Sequence, residues 1–141
     1  MRPQALIIDT NVVIAGLLSS RKNSPVARIL DAMLVGRLLF LLSPSLLAEY
    51  RTVLLRPKLT KLHGLDTDEI DELLATLTAN AAWREPAVPR MAPDPGDDHL
   101  WALLMSQPRG ILVTGDRLLL DKPPEHHRVL SPKDCAGQFL R

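Results

Sequence analysis

Short apolar runs alternate along this chain with segments of helical pattern, and this alternation limits the possible folds more than any other feature. The runs ALII (5–8), LLFLL (38–42) and ILV (111–113) have the length and composition of buried strands. Strands that alternate with helices are typical of right-handed crossovers, which cover both faces of a mainly parallel sheet with helices. We therefore expect an α/β fold, a three-layer sandwich whose central sheet has four or five strands.

Local signals place the helices between these runs. Ser24-Pro25 and Ser43-Pro44 each combine a good N-cap with a residue that suits the first helical position. The stretch 83–96 holds four prolines, which predicts a loop with a short edge strand at its start. A last strand is expected at 127–131. Helices are expected directly after the first strand and at 24–36, 43–57, 66–80, 97–107 and 131–140.

Composition narrows the class of protein. A length of 141 residues with 46% hydrophobic residues suits one domain, expected to span 1–141. The formal net charge of +1 neither requires nor excludes a nucleic-acid partner. The single cysteine, Cys135, cannot form an internal disulfide. The N-terminus reaches an acid too early for a signal peptide, and the longest apolar run is far below the roughly 20 residues that span a bilayer. We expect a cytoplasmic protein without a membrane partner.

Two of the predicted strands run into an acid, Asp9 after ALII and Asp116 after ILV. An ionised carboxylate is costly to bury without a partner, but sites in open parallel sheets form just beyond the carboxyl ends of strands. Glu49 and Asp97, on two predicted helices, add two more acids without an accompanying set of His and Cys. Such a group suits Mg²⁺ or Mn²⁺, which prefer oxygen ligands and support phosphodiester hydrolysis.

Four motifs occur in order along the chain: IIDTNVVIAGLLS, SPSLLAEYRTVL, DPGDDHLWALL and ILVTGDRLLL. With them the chain resembles the PIN domain, a family of metal-dependent ribonucleases, from about Ala5 to Ser131. The resemblance implies an endoribonuclease that cleaves single-stranded RNA with Mg²⁺ or Mn²⁺. It also implies the toxin half of a toxin–antitoxin pair, with an antitoxin protein as partner, and a homodimer.

The resemblance also assigns roles to individual residues. It implies four catalytic acids, of which three are metal ligands, and two supporting polar residues. The metal ligands are Asp9, Asp97 and Asp116; the further catalytic acid is Glu49; the supporting residues are Asn11 and Thr114. One position departs from the family, because an alanine commonly follows the third acid by seven residues and Leu104 stands there.

The choice of Asp97 over Asp98 depends on the predicted helix. Asp94 as N-cap and Pro95 as first helical residue place Asp97 at the third helical position. Asp97 then shares a helix face with three large apolar residues: Leu100, Trp101 and Leu104. The face of Asp98 is also apolar, so the register between the two acids stays open, although the family's spacing favours Asp97.

Each candidate residue also has a plainer interpretation. Asp9 could cap the following helix, Asp97 could only complete a capping box, Asp116 could be a turn residue, and Glu49 could be a solvated helix residue. His126 and His127 suggest zinc, but no cysteine or third histidine stands at a useful spacing, so a polar loop is favoured.

The basic residues Arg51, Arg56 and Lys58 cluster near the predicted site, where they could bind an RNA backbone or form a solvated face. No partner is evident for His63 or His99, and neither is assigned a role. The rival from another class is a catalytically weak PIN-like module that binds RNA or protein. An aspartyl-phosphate phosphatase is disfavoured, because the paired acid it needs two residues after Asp9 is an Asn.

Overall fold

The computed structural model describes residues 4–86, 95–124 and 126–140, and all its strand pairs are parallel. The strands are β1 (Leu6–Ile8), β2 (Leu41–Leu42), β3 (Ala82–Trp83), β4 (Ile111–Val113) and β5 (Arg128–Leu130). They form a three-stranded sheet in the order β1-β4-β5 and a two-stranded sheet of β2 and β3. Helices flank the parallel sheet, which confirms the predicted α/β class.

The expected single sheet of four or five strands is wrong, since the main sheet has three. β2 lies beside β1, and the two are linked just before β2, where Phe40 forms one parallel bridge with Leu6 and the Leu6 amide donates to the Leu39 carbonyl at 2.9 Å. β2 has two residues because Ser43 and Pro44 begin the next helix directly after it. A strand so short joins the two sheets through one bridge and not through a ladder.

The serine–proline pairs begin helices as expected, and Ser24 and Ser43 each accept a hydrogen bond from a first-turn amide. The predicted helix over 43–57 is too long, because it ends at Leu54, and Pro57 starts a short helix that was not predicted. The helices are α1 (Thr10–Leu18), α2 (Pro25–Leu34), α3 (Pro44–Leu54), α4 (Pro57–His63), α5 (Thr67–Asn80), α6 (Asp98–Met105), α7 (Arg117–Asp121) and α8 (Pro132–Phe139).

The core brings α3 against the end of β1. β1, β2 and β4 are buried along their whole length, as expected for strands between helices. Tyr50 of α3 is completely buried, and its hydroxyl donates to the carbonyl oxygen of Ile8 at 2.5 Å. This bond fixes α3 beside the last residue of β1. Glu49, which precedes Tyr50, therefore lies near Asp9, which follows Ile8. Among the described helices, none has both the length and the apolar character needed to cross a bilayer.

Candidate active site

A cleft of about 680 Å³ lies beyond the carboxyl ends of β1 and β4, and the four predicted acids all line it. Asp9 directly follows β1, and Asp116 lies three residues after β4. Glu49 comes from α3, and Asp97 ends the 3₁₀ turn that precedes α6. Acids that are up to 107 positions apart in sequence, from Asp9 to Asp116, thus face one space.

Asp97 and Asp98 point to different spaces. Asp97 lines the acidic cleft, whereas Asp98 lines a neighbouring cavity of about 590 Å³. Pro95 begins a 3₁₀ turn in which Asp97 is the third residue, and the α-helix α6 begins at Asp98, one residue later than the predicted helix over 97–107. Asp97 occupies the N-cap position without making a capping side-chain bond, so capping does not account for it. The predicted N-cap, Asp94, lies outside the described residues.

Asp9 is nearly buried, at 5% exposure, and both its carboxylate oxygens accept hydrogen bonds. Oδ1 accepts from the amide of Thr10 at 2.7 Å, which caps α1. Oδ2 accepts from Thr114 Oγ1 at 2.7 Å and from Asn11 Nδ2 at 3.3 Å. Burial raises the pKa of Asp9, and repulsion from neighbouring carboxylates adds to it, although the bonds from Thr114 and Thr10 oppose the rise. Asp9 therefore caps α1, and it also brings into the cleft a carboxylate whose ionised form is disfavoured by its surroundings.

The predicted supporting residues link the ends of β1 and β4. Thr114 is fully buried; its Oγ1 donates to Asp9 and accepts from the amide of Asp116 at 3.0 Å. Asn11 Oδ1 accepts from the amide of Gly115 at 3.1 Å. Asp116 caps α7 by accepting from the Leu118 amide at 2.9 Å. This network ties the backbone around both acids to the ends of the paired strands β1 and β4. The spacing of these two strands therefore sets the separation of Asp9 and Asp116.

Glu49 is held at both oxygens. Thr10 Oγ1 donates to Oε1 at 2.6 Å, and His99 Nε2 lies 2.5 Å from Oε2. The hydrogen bond from His99 is the main cause that lowers the pKa of Glu49, while burial opposes it; the same bond raises the pKa of His99. The expectation that His99 has no partner is wrong. The one feature of the sequence that could have indicated a role for His99 in the site is its position in the first turn of α6, two residues after Asp97.

Two other histidines, His63 and His127, also have partners. His63 Nε2 lies 2.9 Å from the Leu54 carbonyl, and its Nδ1 accepts from the amide of Leu65 at 3.0 Å, so it ties together the chain around α4. His127 Nε2 lies 2.9 Å from the carbonyl of Gln107. These contacts with the backbone give both rings a structural role.

The structure separates the three predicted RNA-binding cations. Arg56 lines the acidic cleft and helps to lower the pKa of Glu49. Arg51 instead pairs with Asp71, with Nε 2.8 Å from Oδ1, and both side chains are about half exposed. Lys58 is exposed on α4 and is not part of the cleft lining. Arg56 is thus the member of the cluster that faces the acids.

The acids share a cleft without closing around one point. Within residues 4–86, 95–124 and 126–140, no three His, Cys, Asp or Glu side chains are grouped closely enough to hold an ion by themselves. The donors that face the cleft are mainly carboxylate oxygens, which fit a hard cation. Mg²⁺ commonly keeps several waters and uses only one or two carboxylates, so an open arrangement of this kind remains compatible with it.

Comparison with known proteins agrees with this architecture. Residues 5–118 match the family model of the PIN domain. The chain is also similar to the uncharacterized protein MJ1680 of Methanocaldococcus jannaschii, with 27% identity over 143 residues that cover 95% of this chain and 90% of that protein. PIN domains are generally nucleases. Because the family model spans most of the chain, this protein belongs to the PIN-domain family.

Proposed function

We propose that this protein is a divalent-metal-dependent endoribonuclease that cleaves single-stranded RNA, and that residues 1–141 act as a single domain. The observation that carries the proposal is the convergence of Asp9, Glu49, Asp97 and Asp116 on one cleft. Burial raises the pKa of Asp9 in that cleft, and repulsion from Glu49 and Asp116 adds to the rise. A bound cation would offset this repulsion, and nuclease activity is general in the family.

The proposed ligands of Mg²⁺ or Mn²⁺ are Asp9, Asp97 and Asp116. Their carboxylates provide the oxygen donors that these ions prefer, and His99 is engaged with Glu49. When bound, such an ion stabilises the charge that develops on a phosphoryl group and activates a water molecule. Because no three acids among the described residues are grouped closely enough to hold the ion by themselves, water molecules would have to supply the remaining ligands.

The remaining residues of the cleft have their own proposed tasks. Glu49 has a lowered pKa, so it stays ionised at neutral pH and can accept a hydrogen bond or a proton from water in the cleft. Asn11 and Thr114 hold the two strand-end acids apart at a fixed spacing. Arg56 at the edge of the cleft is placed to hold an RNA phosphate, and Arg51 and Lys58 extend the basic surface along α3 and α4.

We also propose that the protein acts in the cytoplasm as the toxin of a toxin–antitoxin pair, as a homodimer that an antitoxin neutralises. Family resemblance supports this role. Coexpression with the product of a short neighbouring reading frame tests it, because an antitoxin restores growth and copurifies with the nuclease. Unrestored growth, or the absence of any growth defect, would contradict the toxin role.

The nuclease proposal is tested by incubating purified protein with an unstructured, end-labelled RNA. Cleavage is expected with Mg²⁺ or Mn²⁺ and should stop in EDTA. Asp116→Asn should abolish it, whereas Asp68→Asn, an exposed acid on α5, should leave it unchanged. Equal cutting in EDTA would contradict the metal mechanism. Tight RNA binding without cleavage under all these conditions would instead favour the catalytically weak binding module.

A further inference from the structure

His99 is the second residue of α6 and reaches across the cleft wall to α3. Its Nε2 lies 2.5 Å from Glu49 Oε2, while Thr10 Oγ1 donates to Oε1 at 2.6 Å. An ionised carboxylate only accepts hydrogen bonds, so Nε2 must donate in this contact. Donors from two helices, α1 and α6, thus hold the two oxygens of one carboxylate on a third helix.

The second ring nitrogen of His99 does not anchor the ring. Nδ1 is buried and has no hydrogen-bond partner among the described residues. A buried polar atom of this kind is uncommon in native structures, whereas the hydrogen bond between Nε2 and a carboxylate is a strong one. Hydrogen bonding therefore fixes the orientation of the imidazole through Glu49. The same bond restrains Glu49 in return. This restraint matters because the Glu49 side chain is 30% exposed and borders the open cleft, where packing alone would leave it free to move.

We propose that His99 is a positioning residue that holds the Glu49 carboxylate in the orientation in which it faces the acidic cleft. Its effect on cleavage rests on the proposed nuclease function. Without the bond to His99, Glu49 would keep one fixed oxygen, and its carboxylate would have to be ordered anew at each turnover. Loss of an outer hydrogen-bond partner in metal sites typically costs about 10- to 100-fold in affinity or activity.

The test compares two substitutions of the ring. His99→Phe keeps an aromatic ring and removes the donor, whereas His99→Gln places an amide nitrogen near the position of Nε2. We expect His99→Phe to lower kcat by about 10- to 100-fold, with smaller changes in KM for RNA and in Mn²⁺ affinity, since neither His99 nor Glu49 is a proposed metal ligand. His99→Gln should restore most of the lost kcat.

A matched control is available at His127, a half-buried histidine whose Nε2 contacts a backbone carbonyl and which does not line the cleft. His127→Phe and His127→Gln should leave kcat within a few-fold of wild type. A wild-type kcat in His99→Phe would overturn the inference, and so would a His99→Gln variant as impaired as His99→Phe. A fall in Mn²⁺ affinity as large as the fall in kcat would also overturn it.

A measurement on the metal-free protein separates this inference from the nuclease proposal. Glu49→Gln should shift the imidazole ¹⁵N signals of His99 in NMR spectra and leave those of His127 unchanged. Unchanged His99 signals would overturn the positioning role, whatever the protein does to RNA. If wild-type protein cleaves no RNA, the nuclease proposal fails, and the NMR comparison still decides whether His99 orients Glu49.

Discussion

Replacing Asp9 by Asn tests whether the buried carboxylate at the end of β1 serves a cation or the fold. The amide removes a charge that burial and neighbouring carboxylates disfavour. It retains one acceptor oxygen for the Thr10 amide, while the contacts with Asn11 and Thr114 must rearrange. A hydrogen bond to a charged group contributes about 1.5–3 kcal/mol, but removing the charge also removes the cost of its burial and its repulsion by neighbouring carboxylates, and the raised pKa of Asp9 means that these costs outweigh the bonds. We therefore expect the metal-free variant to be as stable as wild type or slightly more stable.

The sign of the pH dependence follows from the raised pKa of Asp9. Below the pKa of the unfolded chain, 3.8, the carboxyl is protonated in both states and its contribution to wild-type stability is fully present. This contribution is lost as pH rises through the higher pKa of the folded protein, because ionisation is then easier in the unfolded chain. In urea unfolding at a series of pH values, the free energy of unfolding of Asp9→Asn should thus increase relative to that of wild type as pH rises across that window.

Addition of metal should reverse the comparison. At Mn²⁺ concentrations about 100-fold above Kd, a bound ion stabilises wild type by about 2.7 kcal/mol. That gain corresponds to a rise in Tm of roughly 5 to 10 °C for a chain of this size. Asp9→Asn should gain much less, whereas the control Asp68→Asn should gain as much as wild type. A loss of several kcal/mol in metal-free Asp9→Asn, with an unchanged Mn²⁺ effect, would show that Asp9 serves only as a helix cap.

Three further predictions concern single contacts. Tyr50→Phe should lower stability by about 1–3 kcal/mol in thermal unfolding, because a buried backbone carbonyl at the end of β1 loses its donor; an unchanged Tm would contradict this. Arg56→Gln should raise KM for RNA and reduce the salt slope of binding by about 0.7, while Arg51→Gln, whose side chain pairs elsewhere, should change both less; a larger effect of Arg51→Gln would move the RNA path. Asp97→Asn should abolish Mn²⁺ binding measured by calorimetry, whereas Asp98→Asn should retain it; the opposite result would shift the third acid by one residue.

The features that could be predicted from sequence are those set by local patterns. Apolar runs gave β1 and β4, and serine–proline pairs gave the starts of α2 and α3. The meeting of Asp9 and Asp116 follows from the same reasoning, because parallel neighbours bring their carboxyl ends to one edge. Local pattern and sheet topology together therefore suffice to locate the strand-end acids.

The features that could not be predicted depend on contacts between distant parts of the chain. The apolar run 38–42 predicts a strand, but not that it pairs with β1 at one bridge only. Pro57 suits both the end of one helix and the start of another, and packing decides between them. The partner of His99 is 50 positions away on α3, so no pattern within α6 could identify it.

The most direct test of a metal site in the acidic cleft is paramagnetic broadening of the amide NMR signals when Mn²⁺ is added to the ¹⁵N-labelled protein. We expect the amides of Thr10, Asn11, Gly115 and Asp116 to broaden first, because they lie at the two strand ends that border the cleft. The amide of Asp68 on α5 should broaden last. Broadening centred on α5, or none at concentrations that support RNA cleavage, would contradict a metal-dependent nuclease built on these four acids.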